Sequence, residues 1–127
     1  MAISYPPIID GSLGSFYEDP TTSTASITVP FTMNRAVSKS EVKNFKIKIK
    51  NINSDTLVLG KDISTILDKW DKKKSTIRFD FAKDQTSKFK VPNYYKVQIA
   101  YVDEKGISSP FSDVGIIKYT NKPTVSI

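Results

Sequence analysis

Apolar and polar residues alternate along most of this chain with a period of two. Phe45, Ile47 and Ile49 stand between Lys46, Lys48 and Lys50, which puts apolar side chains on one face of an extended segment and ammoniums on the other. Ala25, Ile27, Val29 and Phe31 alternate in the same way with Ser26, Thr28 and Pro30. Ile77, Phe79 and Phe81 alternate with Arg78 and Asp80, and Tyr95, Val97, Ile99 and Tyr101 with Lys96, Gln98 and Ala100. A short apolar run at 56–59 closes on Gly60, another spans 114–119, and Pro7-Ile8-Ile9 opens the chain as a strand. Seven strands punctuated by turn residues predict an all-β sandwich.

One segment follows a different period. Ile63, Ile66, Leu67 and Trp70 fall at i, i+3, i+4 and i+7, the spacing of a helical face. Asp62 suits its N-cap and Lys72-Lys73-Lys74 its C-terminal end. The spacing therefore predicts one short inserted helix at about 62–72. A helix this short is marginal alone, so it is expected to lie on the sandwich through Ile66 and Trp70. Gly11, Gly14 and Pro20 break up the segment before residue 25, and 19–24 reads as exposed turn. The chain is expected to be one domain over 1–127, with an N-terminal strand and loop at 1–24 and the main sandwich at 25–127.

The stretch from Phe89 through Tyr95 and Val97 to Gly106, Ser109 and Ser112 resembles the E–F corner, F strand and F–G loop of fibronectin type III domains. Phe89 stands at that family's Leu position, six residues before Tyr95 at its Tyr position. Gly106, with Ser109 and Ser112, stands in the turn. Phe31 or Met33 replaces the strand-B Trp, and Pro92 sits one place later than usual. The resemblance implies a fibronectin type III/immunoglobulin-like sandwich of about seven strands. Tyr95 would be the corner tyrosine, buried and hydrogen-bonded to the backbone upstream. Tyr94, of opposite parity, is expected to face solvent.

Composition narrows the chemistry. The chain has no histidine and no cysteine, so no Ser-His-Asp or Cys-His unit and no Cys-based zinc site can be built. The acidic pairs Glu18-Asp19, Asp68 with Asp71, and Asp103-Glu104 read as solvated turn residues, and Asp80 with Asp84 is too sparse for calcium. No catalytic, cofactor or metal residue is assigned, and no enzyme is expected. No run of about 18 apolar residues is present, so no helical membrane span is expected. The start has neither a basic n-region nor an apolar h-region, and is not read as a signal peptide.

The net charge is +6, almost entirely from lysine, with only two arginines, Arg35 and Arg78. Nucleic-acid readers gather arginine with aromatics, so no nucleic acid is expected. Lys46, Lys48 and Lys50, beside Lys96 and Gln98 on a neighbouring strand, form either a cationic strip for an anionic polymer or a solvated face that resists aggregation; the second is preferred. Trp70 is either a sugar-stacking platform or a residue packed on the sheet, with packing preferred.

A second similarity concerns Tyr5-Pro6-Pro7-Ile8-Ile9-Asp10-Gly11 and the segment from Val29 to Ser38. These resemble N-terminal segments of structural tail or baseplate proteins in phages of Gram-positive bacteria. The resemblance implies a virion structural module, assembled in the host cytoplasm and acting by protein–protein packing. Its partners would be other virion proteins or further copies of itself. The alternative is a cell-surface or carbohydrate-binding sandwich that takes host glycan. The last strand is apolar on both parities, so a second cover is expected on it, from the helix or from a partner. The interaction surface is assigned to Ile8, Ile9, Trp70, Ile116, Ile117 and Tyr119. The final residues 122–127 read as entry into a further strand or domain.

Overall fold

A computed structural model of the chain describes residues 5–33, 37–59, 64–65 and 69–122. The strands are β1 (Ile8–Ile9), β2 (Ser15–Asp19), β3 (Thr24–Thr32), β4 (Val42–Asn51), β5 (Leu57–Leu59), β6 (Ser64–Thr65), β7 (Trp70–Asp71), β8 (Thr76–Phe81), β9 (Asn93–Asp103) and β10 (Gly115–Thr120). One helical turn, α1 (Lys83–Thr86), lies between β8 and β9. The chain is an all-β, fibronectin type III/immunoglobulin-like sandwich. The seven strands expected from the alternation are β1, β3, β4, β5, β8, β9 and β10.

Hydrogen bonding follows the path β5-β4-β9-β10-β2-β3-β8-β7, with β1 added to β3 and β6 to β4. One layer is β4, β9 and β10 with their short neighbours; the other is β3, β8, β7 and β1. β2 stitches the two together. Its first residues run parallel to β10, with Phe16 opposite Tyr119, and its last run antiparallel to β3, with Glu18 opposite Ala25. Alternation did not reveal β2, because Phe16 is its one fully buried side chain. Upstream of β2, the backbone of β10 is approached closely. A Cβ on Gly115 would lie 2.9 Å from Leu13 Cδ1 and 3.3 Å from Ile9 Cδ1, so glycine leaves room for the first loop to lie across the strand.

In the segment expected as a helix, Ser64–Thr65 and Trp70–Asp71 are strands, and Lys69 between them is a single 3-10 residue. Ser64 and Thr65 pair with Lys46 and Phe45, and Trp70 and Asp71 pair with Ile77 and Thr76. Asp62, Ile63, Ile66 and Leu67 lie outside the described residues. The physical reason is visible at Trp70. As an edge-strand residue it inserts between the layers, its ring 5.2 Å from Phe45 and 6.2 Å from Phe31, and only 4% of it stays exposed. Lys39 and Lys72 lie over the ring, with Nζ 5.9 and 5.4 Å from its centroid, and Lys72 Nζ donates to the Val37 carbonyl. Thr65, which is β-branched, also favours the extended form.

The core has aromatic ends and an aliphatic middle. Ile27, Val29, Ile47, Ile49, Ile77, Val97 and Ile99 fill the centre, and each such burial is worth about 1.5–3 kcal/mol. Phe31, Phe45, Trp70 and Tyr101 close one end. Phe89 organises the other, with ring centroids 5.0 Å from Phe16, 5.8 Å from Phe81, 5.2 Å from Tyr95 and 5.3 Å from Tyr119.

Phe89 stands where the chain crosses from β8 to β9, that is, from one layer to the other. α1 begins the crossing, and the buried Thr86 hydroxyl donates to the Ser23 carbonyl, 2.8 Å away. Beyond Phe89, Lys90 N–H donates to Tyr95 Oη at 2.8 Å, while the Tyr95 ring is 1% exposed. Tyr94, one residue earlier on β9, is 49% exposed. Removing the Tyr95 hydroxyl strands a backbone donor. Tyr95→Phe is therefore expected to cost about 1–3 kcal/mol in denaturant melts, with Tyr94→Phe close to neutral. Equal effects would mean that the corner is held by something else.

Candidate interaction face

The outer face of the β4–β9–β10 layer takes its shape from the loop that follows β9. The loop opens with a tight turn in which Asp103 Oδ1 accepts from Lys105 N–H at 2.9 Å and Ile107 N–H at 2.8 Å. Gly106, at φ +86, supplies the left-handed residue that the turn requires. The chain then runs back along β9 without forming a regular ladder. Ser109 N–H and Ser112 N–H donate to the carbonyls of Tyr101 and Ile99, each at 2.8 Å. In return, Tyr101 N–H and Ile99 N–H donate to the hydroxyl oxygens of Ser109 and Ser112, at 3.1 and 3.0 Å. Each hydroxyl also donates to a nearby carbonyl, Pro110 O or Asp113 O. Two serines three apart thus pair with two strand residues two apart, and the surplus residue is pushed outward.

That displacement carries Phe111 onto the lysine strand. Lys48 Nζ lies 4.1 Å and Lys46 Nζ 5.4 Å from its ring centroid, a cation–π arrangement. Gln98 Nε2 donates to the Ser112 carbonyl at 2.9 Å and holds the loop down. Further along the face, Lys50 lies opposite Lys96 across the β4–β9 pair, which by itself is repulsive. Asp55, from the β4–β5 turn, answers it with a carboxylate oxygen 2.8 Å from Lys96 Nζ. The hydrogen bond and charge of Lys96, then the charge of Lys50, hold the Asp55 carboxyl below its ordinary value of 3.8. Lys118 lies over the Tyr94 ring at 5.6 Å. On the inner side, burial pushes the Tyr119 phenol up, helped by the charge of Glu18 and by Tyr95.

The residues assigned to interaction from the sequence divide in two. Ile8 is 51% exposed and Ile116 44%, with Val114 also outward, and Ile9 is half-buried. Pro6, Pro7, Ile8 and Ile9 face Asp113, Val114 and Gly115 across a shallow cleft. Trp70, Ile117 and Tyr119 are core residues, at 4%, 2% and 3% exposure, and offer no surface. Trp70 also lies on the layer opposite β10, in β7 beside β8, so it does not cover Val114 or Ile116. Phe89, Tyr95 and Gly106 are placed at the corner and turn described above. Phe111 and Asp55 were not singled out in the sequence. The Ser109-Pro110-Phe111-Ser112 run was a signal for Phe111, since two serines three apart beside a strand can stand in for ladder partners. Asp55 had none, because its place depends on the register of β4 with β9.

No family model matches the chain, and no curated protein sequence does. Similar solved structures include one of titin kinase and its flanking domains, 12% identical, with a TM-score of 0.48, covering 99% of this chain and 18% of that one. Another is titin module A71 from human cardiac muscle, 13% identical, with a TM-score of 0.46, covering 92% of this chain and 90% of that one. The chain spans less than a fifth of the first structure's length. The sandwich assignment itself rests on the strand order and registers above.

A carboxyl held down in the folded state contributes stability that is fully present above its unfolded value, 3.8, and is lost as pH falls through the folded value. An NMR titration of Asp55 is expected to show a midpoint below that of the unfolded chain, and Lys96→Met is expected to return it upward. An unshifted midpoint in the wild-type protein would mean that Asp55 does not sit on Lys96 in solution.

Proposed function

We propose that this domain is a non-enzymatic structural module of a phage tail or baseplate, working by protein–protein packing in a virion assembled in the host cytoplasm. The tail setting is supported by the resemblance of Tyr5–Gly11 and of the segment from Val29 to Ser38. Packing is supported by one structural observation. Ile8, Val114 and Ile116 stay outward, at 51%, 48% and 44% exposure, beside the proline-lined cleft at the start of β10. Apolar residues grouped in this way at the rim of a sandwich are the usual material of an interface. The glycan alternative loses its aromatic platform, since Trp70 is buried.

The test is light scattering of the purified domain over a wide concentration range, alone and with the proteins encoded beside it. A complex or a self-assembled species is expected. Ile8→Asp with Val114→Asp is expected to weaken it at least tenfold while leaving the melting temperature within a few degrees. A strict monomer that joins none of those proteins, but is retained by host cell-wall glycan, would overturn the reading.

A further inference from the structure

We infer that the outer face of β4 and β9, with Phe111, docks an acidic protein segment whose carboxylates seat on its lysines. The inference deepens the packing role above and rests on it. Lys46, Lys48 and Lys50 follow one another at every second residue of β4, about 6.7 Å apart, opposite Ala100, Gln98 and Lys96. All three are half-buried, with stems that lie along the sheet while the ammoniums remain at its surface. At one end, Asp55 already shows how a carboxylate sits there, bound to Lys96 at 2.8 Å and beside Lys50. At the other end, Lys46 and Lys48 converge on one phenyl ring. Among the described residues, no carboxylate forms an ion pair with either. Two ammoniums held together in this way form a second cationic seat of the same kind.

The occupant's chemistry follows from what surrounds the seat. Phe111 is half-buried, and Tyr94, Ile116 and Val114 are exposed on the same layer. A peptide offers carboxylates and apolar side chains together, whereas a phosphate polymer has nothing for the apolar positions. A second copy is disfavoured by charge, since 19 basic residues face 13 acidic ones and the two lysine faces would repel. Nucleic acid is disfavoured by the arginines, as Arg78 Nε pairs with Asp80 at 3.1 Å on the other layer.

The test is an NMR titration of the isotopically labelled domain with a soluble peptide in which Glu alternates with Ser and Leu. A Gln-for-Glu peptide, a glycerol-phosphate polymer and single-stranded DNA serve as comparisons. Amide shifts confined to β4, β9 and the Phe111 loop are expected, with affinity falling steeply as salt rises. Lys46→Gln with Lys48→Gln should weaken the Glu peptide at least tenfold, and Phe111→Ala at least threefold, both with the native spectrum retained. Should the double variant fail to fold, the Phe111→Ala variant and the Gln peptide decide. Shifts elsewhere, equal binding of the Gln peptide, or tighter binding of the phosphate polymer or DNA on these residues would overturn the inference. If the Lys46→Gln, Lys48→Gln variant still joins the assembly seen by light scattering and Ile8→Asp does not, this face is wrong and the packing role stands. If no protein binds by either method, both fall.

Discussion

The sandwich depends on how the chain crosses from β8 to β9. At that crossing the two layers have no ladder between them, and the backbone must turn through the end of the core without leaving polar groups unpaired. Phe89 fills the end of the core with its ring against Phe16, Phe81, Tyr95 and Tyr119. Those four residues come from β2, β8, β9 and β10, so one side chain touches both layers and the strand that joins them. Tyr95 then supplies the acceptor for Lys90 N–H, the group the crossing would otherwise strand. With the corner fixed, β9 runs at a set height, and its register with β4 and β10 follows.

That register decides what the outside of the domain presents. Inward parity on β9 places Val97 and Ile99 in the core, so Lys96 and Gln98 must face outward beside Lys50 and Lys48. Ser109 and Ser112 bond to Tyr101 and Ile99, and the odd residue between them lands on the lysines. The charged face is thus a consequence of the same alternation that builds the core.

Strand β4 was plain in the sequence because its lysines and apolar residues alternate without interruption from Phe45 to Lys50. β9 was equally plain, and the corner was legible through the resemblance to fibronectin type III domains, in which Phe89 and Tyr95 stand at the family's Leu and Tyr positions. The region from 62 to 72 was not, because Trp70 with the isoleucines upstream fits helical spacing while its burial depends on Phe31 and Phe45, residues remote in the chain. β2 was hidden for a related reason. It lies against two different strands for a few residues each, so neither face carries a sustained apolar pattern. On the interaction face, the lysines were visible but Asp55 and Phe111 were not, since both arrive from loops whose landing points are set by pairing elsewhere.

Amide hydrogen exchange at Lys90 reads whether the crossing holds the two layers together. Lys90 lies outside every strand, between α1 and β9, and its side of the chain is exposed. If the crossing is what holds the two layers together, its N–H opens only when the whole sandwich opens. It should then exchange as slowly as the amides of Val97 and Ile99 in the middle of β9. Exchange at the rate of an ordinary surface loop, with β9 still protected, would show that the corner opens freely while the fold persists, and would contradict the account.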